Sequence, residues 1–252
     1  MNYNVIMNGI EVNAHYSEKS IDEVFLPLLA RLSDMQRKKG RRILVFLAAP
    51  PGAGKSTLAS FLQKLSEENE NLTDIQAIGM DGFHRRQEYL LTHNTIRNGK
   101  EIRMVDIKGA PETFDLEALK QRIALVMQGG AVGWPTYDRH LHNPVDNAIT
   151  VNKDIVLVEG NYLLLKEEGW KDLQKLADYT IFISANENML RERLRDRKIK
   201  SGNTAEVAEK FVDFSDMANV KICLFNSQGA DLTLLLGEND EYRILETGDV
   251  HG

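Results

Sequence analysis

Lys55, Ser56 and Thr57 follow a small-residue loop, Ala49-Pro50-Pro51-Gly52-Ala53-Gly54, that ends the apolar run Leu44-Val45-Phe46-Leu47-Ala48. A buried strand, a Gly-rich turn and a helix in this order form a phosphate-binding loop. Its backbone N–H groups and the N-terminus of the next helix face an anion. The expected nucleotide contacts are Pro51, Gly52, Ala53, Gly54, Lys55, Ser56 and Thr57. Lys55 reaches the β- and γ-phosphates, and the Ser56 hydroxyl sits on Mg²⁺. The spacing therefore predicts a protein that binds a nucleoside triphosphate. The strict pattern places Gly six residues before Lys55, where this chain has Ala49. A methyl is tolerated there if the backbone keeps negative φ.

Two carboxylates stand at comparable places. Asp81 closes an apolar strand and precedes Gly82. It could accept the proton of an acceptor alcohol, hold Mg²⁺ through water, or simply cap the next helix. Glu159 ends Ile155-Val156-Leu157-Val158, the most apolar strand of the chain. A charge there is costly unless it meets a cation or a set of donors, and magnesium coordination answers that need.

Trp134-Pro135-Thr136-Tyr137-Asp138-Arg139-His140-Leu141-His142 is dense in side chains that stack or hydrogen-bond. With Gly109–Asp115, including Phe114, it could form an acceptor pocket; loop histidines such as His140 and His142 are equally at home in solvent. Near 187–200 a helix carries four arginines, Arg191, Arg193, Arg195 and Arg197, in alternate positions. Arg191 and Arg195 share one face, Arg193 and Arg197 another. They read either as a lid closing on the triphosphate, with Gly202 as hinge, or as a solvated helix salt-bridged through Glu192 and Asp196.

The elements that must position these groups alternate strand and helix. Strands are expected at 42–48, 75–80, 154–158 and 179–183, and helices at 55–67, 115–128 and 187–200. Uniformly apolar strands between helices indicate an α/β fold with a mostly parallel sheet covered on both faces. Ligands on such sheets lie at the carboxyl ends of the strands, where the loop, Asp81 and Glu159 all fall. Residues 1–16 alternate around Asn8-Gly9, a hairpin signal. A helix follows over 21–39, with Ser20 as N-cap and Gly40 as stop. These first 40 residues read as an extension, and 41–252 as the nucleotide domain with a lid near 187–204. Short strands at 231–236 and 241–245 extend the sheet or pair with the hairpin.

The net charge of −6 over 252 residues argues against nucleic acid as the main partner. One cysteine, Cys223, excludes an intramolecular disulfide and reads as a buried thiol with nothing nearby to activate it. The N-terminus lacks signal-peptide character, and no apolar run approaches the length of a membrane span. A cytoplasmic protein without a membrane partner is the expectation.

Five stretches together resemble the phosphoribulokinase/uridine kinase family: the Ala49–Thr57 loop, Asp81-Gly82-Phe83-His84, Lys108–Asp115, Pro135-Thr136-Tyr137-Asp138, and Val158-Glu159-Gly160-Asn161-Tyr162. The likeness covers about residues 40 to 225, in the family's order, and is similar to bacterial pantothenate kinase as well. It is nearest to a bacterial nucleoside/nucleotide kinase-like, fructose-transport-system kinase-like subgroup, which also looks similar over the N-terminal hairpin and helix. The resemblance implies a P-loop NTPase fold and transfer of the γ-phosphoryl of ATP, with Mg²⁺, to a small-molecule alcohol. It implies that Asp81 is the base, that Ser56 and Glu159 hold the metal, and that Lys55 bridges the phosphates. It puts Tyr137 and His140 at the acceptor and Arg191 and Arg195 in a lid pattern over the nucleotide; His84, Phe114 and Arg139 are further acceptor candidates, and Arg197 a further nucleotide candidate, by their place in these stretches. Family members often form dimers or larger assemblies, so a homo-oligomer is compatible with it. The chain departs from the pattern at Ala49-Pro50-Pro51 and at His84, where uridine kinases carry Tyr, which counts against a nucleoside acceptor. The Asn-, Arg- and Lys-rich loop Thr92–Gly109 could suit an acceptor bearing phosphate or carboxylate, or be a solvated surface loop.

The competing reading is a P-loop regulator that hydrolyses a nucleotide without a small-molecule acceptor. A guanine-reading Asn-Lys-x-Asp would support it, but Asn152-Lys153-Asp154 lacks the spacer and precedes a strand. A kinase fold that has lost catalysis is disfavoured by intact Lys55, Ser56, Asp81 and Glu159.

Overall fold

The computed structural model describes residues 1–7, 10–97 and 99–245. Its elements run β1 (Asn2–Met7), β2 (Ile10–His15), α1 (Glu18–Ser20), a π-turn (Ile21–Phe25), α2 (Leu26–Lys39), β3 (Ile43–Ala48), α3 (Lys55–Glu67) and β4 (Ile75–Gly79). After a 3₁₀ turn (Met80–Phe83) come α4 (Gln87–Thr92), β5 (Asn94–Arg97), β6 (Lys100–Arg103), α5 (Leu116–Met127), β7 (Val132–Asp138) and β8 (Asn143–Val151). The chain closes with β9 (Ile155–Gly160), β10 (Tyr179–Ala185), α6 (Glu187–Lys200), α7 (Ala205–Phe211), α8 (Met217–Asn226), β11 (Leu232–Leu236) and β12 (Tyr242–Ile244). Residues 1–78 with 153–252 form one compact unit, and 79–152 a second. Residue 40, where the sequence suggests a boundary, lies inside the first.

The first unit is built on a six-stranded sheet of order β12-β11-β10-β3-β9-β4. The pairs β11–β10, β10–β3 and β3–β9 are parallel, and β12 is antiparallel to β11. All six residues of β3 and all six of β9 are buried. A strand covered on both faces needs a continuous apolar run, which is what these segments supply. The mostly parallel α/β sheet expected from the sequence is present, and 231–245 extends it.

The N-terminal hairpin pairs β1 with β2 in antiparallel register from Asn2↔His15 to Met7↔Ile10; its Asn8-Gly9 turn lies outside the described residues. Tyr16 stacks on Phe61 of α3 with ring centroids 4.3 Å apart, and Tyr3 donates or accepts a 2.6 Å hydrogen bond with Ser60. The extension is thus part of the core around α3. The helix after it starts earlier than expected. Ser17, not Ser20, is the cap: its hydroxyl accepts from Ser20 N–H at 3.0 Å, and Ser20 is buried against Tyr242 backbone. Gly40 ends the helix with φ +61°, as its residue type requires.

The second unit carries two hairpins, β5–β6 and β7–β8, and α5. The sequence reading treats both hairpins as loop. In β7 the cause is Pro135, which demotes a strand because it cannot donate to the ladder. The register shift between Trp134 and Thr136 accommodates it. Asp115 caps α5 by accepting from Ala118 N–H at 3.0 Å.

Candidate active site

In the first unit the loop after β3 is held from several sides. Gly52 and Gly54 have φ of +85° and +74°, conformations that L side chains rarely adopt. A Cβ on Gly52 would lie 3.1 Å from Leu194 Cγ and 3.3 Å from the Leu190 carbonyl, so α6 packs directly on the loop. Ala49 is not among the residues with positive φ and is fully buried, its N–H 3.4 Å from the Gly160 carbonyl. The methyl in place of the usual glycine therefore fits. Tyr242 of β12 is buried with its hydroxyl 3.5 Å from the Ala53 carbonyl. No short-range signal could reveal that contact, which spans 189 residues.

Ser56 Oγ donates a 2.8 Å hydrogen bond to Glu159 Oε1. Glu159 lies within β9 rather than after it and is only 8% exposed. A hydroxyl and a buried carboxylate in contact at the start of the post-loop helix fit a hard cation. Mg²⁺ takes one or two protein groups and fills the rest of its shell with water and phosphate oxygens. Lys55 starts α3, half-buried. Cys223, on α8, is buried, its Sγ 3.3 Å from the Asn161 carbonyl; burial pushes the thiol up to about 12 against the pull of Lys55, so it is inert. Asn161 and Asn219 each bury an Oδ1 without a hydrogen-bond partner. Asn161 falls in a sequence motif without a role of its own, and Asn219 does not stand out in the sequence.

The arginines of α6 meet carboxylates, chiefly from outside that helix. Arg191 makes a fork to Asp213 at 2.7 and 2.9 Å, and Arg193 reaches Asp240 at 2.6 Å. Arg195 meets its neighbour Asp196 at 3.2 Å, and Arg197 lies in the last turn. Among the described residues Glu192 makes no ion pair, though its charge acts on Arg191. Gly202 has φ +98°, and a Cβ there would meet nothing within 4 Å.

In the second unit Asp81 sits in the 3₁₀ turn after β4 and does not cap a helix. Gly82 beside it is indispensable: a Cβ there would fall 2.1 Å from the Pro135 carbonyl oxygen. Trp134, fully buried, anchors the hairpin through a 2.8 Å bond from its indole N–H to the Gly79 carbonyl and an edge contact with Phe83. His84 stacks on Phe114 (centroids 3.9 Å, 27°) and meets Tyr137 edge-on at 5.1 Å. Their backbones also meet at an isolated bridge between His84 and Phe114. Burial, opposed by Asp81 and helped by Lys108 and Arg139, holds the His84 imidazole below its ordinary range. Burial and the Asp81 charge push the Tyr137 phenol up to about 12. His84 Nδ1 and Tyr137 Oη are both buried without a hydrogen-bond partner.

Arg139 and His140 lie on the exposed β7–β8 turn, where Asp138 accepts from the His140 and Leu141 N–H groups. Arg139 still acts electrostatically on His84 and Tyr137; His140 faces solvent. Lys108, one of the basic residues of the Thr92–Gly109 loop expected to suit an anionic acceptor or to be solvated surface, places its ammonium 5.1 Å over the Tyr137 ring. A cavity of about 440 Å³ in this unit is lined by His84, Arg85, Tyr89, Arg122 and neighbours but not by Asp81, Tyr137 or Lys108. Arg85 and Arg86 are paired there with Asp115 and Asp146.

The match to known proteins follows the same geography. The model of the Phosphoribulokinase / Uridine kinase family matches residues 44–234. The chain belongs to that family. The uncharacterized protein YggC of Escherichia coli (strain K12) is 41% identical over 243 residues, covering 96% of this chain and 98% of YggC. The putative uridine kinase C227.14 of Schizosaccharomyces pombe is 32% identical over 203 residues, covering 78% of this chain and 84% of the relative. The crystal structure of a putative fructose transport system kinase from Silicibacter sp. TM1040 superposes with a TM-score of 0.72 at 30% identity, over 82% of this chain and 98% of that one. Membership makes the chain a P-loop small-molecule kinase by class, with the P-loop kinase fold. Among the described residues no helix is long and apolar enough to cross a membrane.

Proposed function

We propose that this protein transfers the γ-phosphoryl group of ATP to an alcohol of a small cytoplasmic acceptor. The observation that supports this most is the Ser56–Glu159 contact at the foot of a loop whose Gly52 and Gly54 take positive φ. In this reading Pro51–Thr57 wrap the phosphates and Lys55 neutralises their charge. Ser56 and Glu159 hold Mg²⁺, which supplies charge neutralisation on the phosphate oxygens when bound. Asp81 accepts the hydroxyl proton as the acceptor oxygen bonds to the γ-phosphorus and the bond to the β-phosphate bridging oxygen breaks; ADP leaves. The Asp81 charge acts on His84 and Tyr137, beside which the acceptor would sit. His84, Phe114, Tyr137 and Arg139 bind the acceptor, and Arg191, with Arg195 and Arg197, closes on the nucleotide.

Hydrolysis without an acceptor is the weaker reading. Lys153, the one lysine of the guanine-like Asn152-Lys153-Asp154, is held by Asp74 at 2.6 Å. The test is ADP release with Mg·ATP across pooled sugars, sugar phosphates, nucleosides and pantothenate. Stimulation by one pool supports the kinase; a slow rate that no pool changes supports hydrolysis.

A further inference from the structure

The acceptor cluster holds a cation that no ion pair among the described residues neutralises. Lys108 is half-buried, and its ammonium donates to two neutral groups, Gln87 Oε1 at 2.7 Å and the His142 carbonyl at 3.2 Å. Among the described residues it meets no carboxylate. Burial draws its pKa down, which records the cost of an ammonium without a counter-ion. The charged groups acting on His84 are Asp81, Lys108 and Arg139, two cations against one anion. Asp138 accepts from the turn amides and its charge also acts on Tyr137, while Glu112 faces Arg97 at 3.9 Å through Oε1.

The aromatic surfaces point the same way. A nucleobase would need an open ring face. One face of Phe114 is taken by the His84 ring, and the Lys108 ammonium lies over a face of Tyr137. What the cluster offers instead is polar: Tyr137 Oη and His84 Nδ1, both buried and unpaired, beside an uncompensated ammonium. A buried hydroxyl, an imidazole nitrogen and an ammonium together suit a small, oxygen-rich anion.

Resting on the kinase reading of this site, we propose that the acceptor is an alcohol that also carries an anionic group, a carboxylate or a phosphate monoester. Lys108 receives that group, with Tyr137 Oη and His84 beside it. Asp81 is left for the hydroxyl that is phosphorylated. Lys108 is then a specificity-determining residue that selects charged over neutral alcohols.

Matched pairs differing only in the charge test this: pantothenate against pantothenol and glycerate against glycerol for a carboxylate, ribose 5-phosphate against ribose for a phosphate. Thermal stabilisation of the nucleotide-free protein and ADP release with Mg·ATP are read for each member. In at least one pair the charged member should bind, or be phosphorylated, with an apparent constant lower by about tenfold or more, as for a charge-assisted hydrogen bond. Which pair responds separates carboxylate from phosphate. Lys108→Met should erase the difference by raising KM for the charged member more than it lowers kcat, and Lys108→Arg should retain most of it. No preference for the charged member in any pair, equal inactivity included, overturns the proposal, as does a preference that survives Lys108→Met. Neutral alcohols phosphorylated in an Asp81-dependent way would leave the kinase standing and remove the anion. Charged members that bind without turnover would do the reverse.

Discussion

Ser56 and Glu159, 103 residues apart in sequence, meet through a 2.8 Å hydrogen bond. The contact exists because β9 lies beside β3 in parallel register, Leu47 opposite Glu159, so both carboxyl ends point to one edge. Glu159→Gln keeps an acceptor for the Ser56 hydroxyl but removes the charge. It should raise the Mg²⁺ concentration for half-maximal activity by about tenfold or more, the scale seen when a metal site loses a supporting group. A Mg²⁺ titration decides it, and an unaltered midpoint would take Glu159 out of the metal site.

Gly82 packs its α-carbon against the Pro135 carbonyl, where a Cβ would fall at 2.1 Å. Backbone cannot yield as a flexible side chain does. Gly82→Ala should therefore cost about 1–3 kcal/mol, the usual range for overpacking. Thermal unfolding should show a clearly lower midpoint. An unchanged midpoint would mean that the turn bearing Asp81 does not pack on β7 as described.

His84 is half-buried with its Nδ1 shielded from solvent, and burial holds its imidazole below the ordinary value near 6.5. The unfolded chain then binds a proton more readily than the folded one, so this group's stabilisation is present above pH 6.5 and is lost as pH falls below it. Denaturant midpoints between pH 7.5 and 5.5 should fall more steeply in the wild type than in His84→Gln. Parallel slopes would show that His84 gains no protection from burial. Asp81, Lys108 and Arg139 all act on the ring, so the slope reports the cluster as a whole.

Much of this arrangement is legible in the sequence. Strand β3, helix α3 and helix α6 stand where apolar runs and glycines place them, α3 and α6 to the residue, because parallel core strands leave a continuous apolar signature. Asp81, Phe114 and Tyr137 are marked by motif. What escapes the reading depends on distant contacts. The β7–β8 hairpin is hidden by Pro135, and Tyr242 contacts Ala53 only through the folded sheet. Ser17 takes the capping role from Ser20 because Ser20 is drawn into the core by Tyr242. Helices α7 and α8 go unread because a π-turn, Val212–Asp216, interrupts their period. Lys108 is flagged only as one of several basic residues of the Thr92–Gly109 loop; what singles it out, an ammonium bonded to Gln87 and the His142 carbonyl, depends on the fold.

Arg191 is fixed by Asp213 through Nε and Nη2, which leaves Nη1 free of that fork. If this edge meets the nucleotide phosphates, Arg191→Ala should raise KM for ATP by about tenfold, the worth of a charge-assisted hydrogen bond. Asp213→Ala should raise it less, because the guanidinium remains but is no longer held. A KM unmoved by either change would make the pair an exposed salt bridge of little energetic weight.

The most direct measurement is acceptor-stimulated ADP release by the wild type and by Asp81→Asn, with ATP affinity measured alongside. The account predicts stimulation by one acceptor pool, a rate at least about a hundredfold lower in Asp81→Asn, and nearly unchanged ATP binding, as for loss of a general base. Turnover of the acceptor by Asp81→Asn at close to the wild-type rate would contradict it.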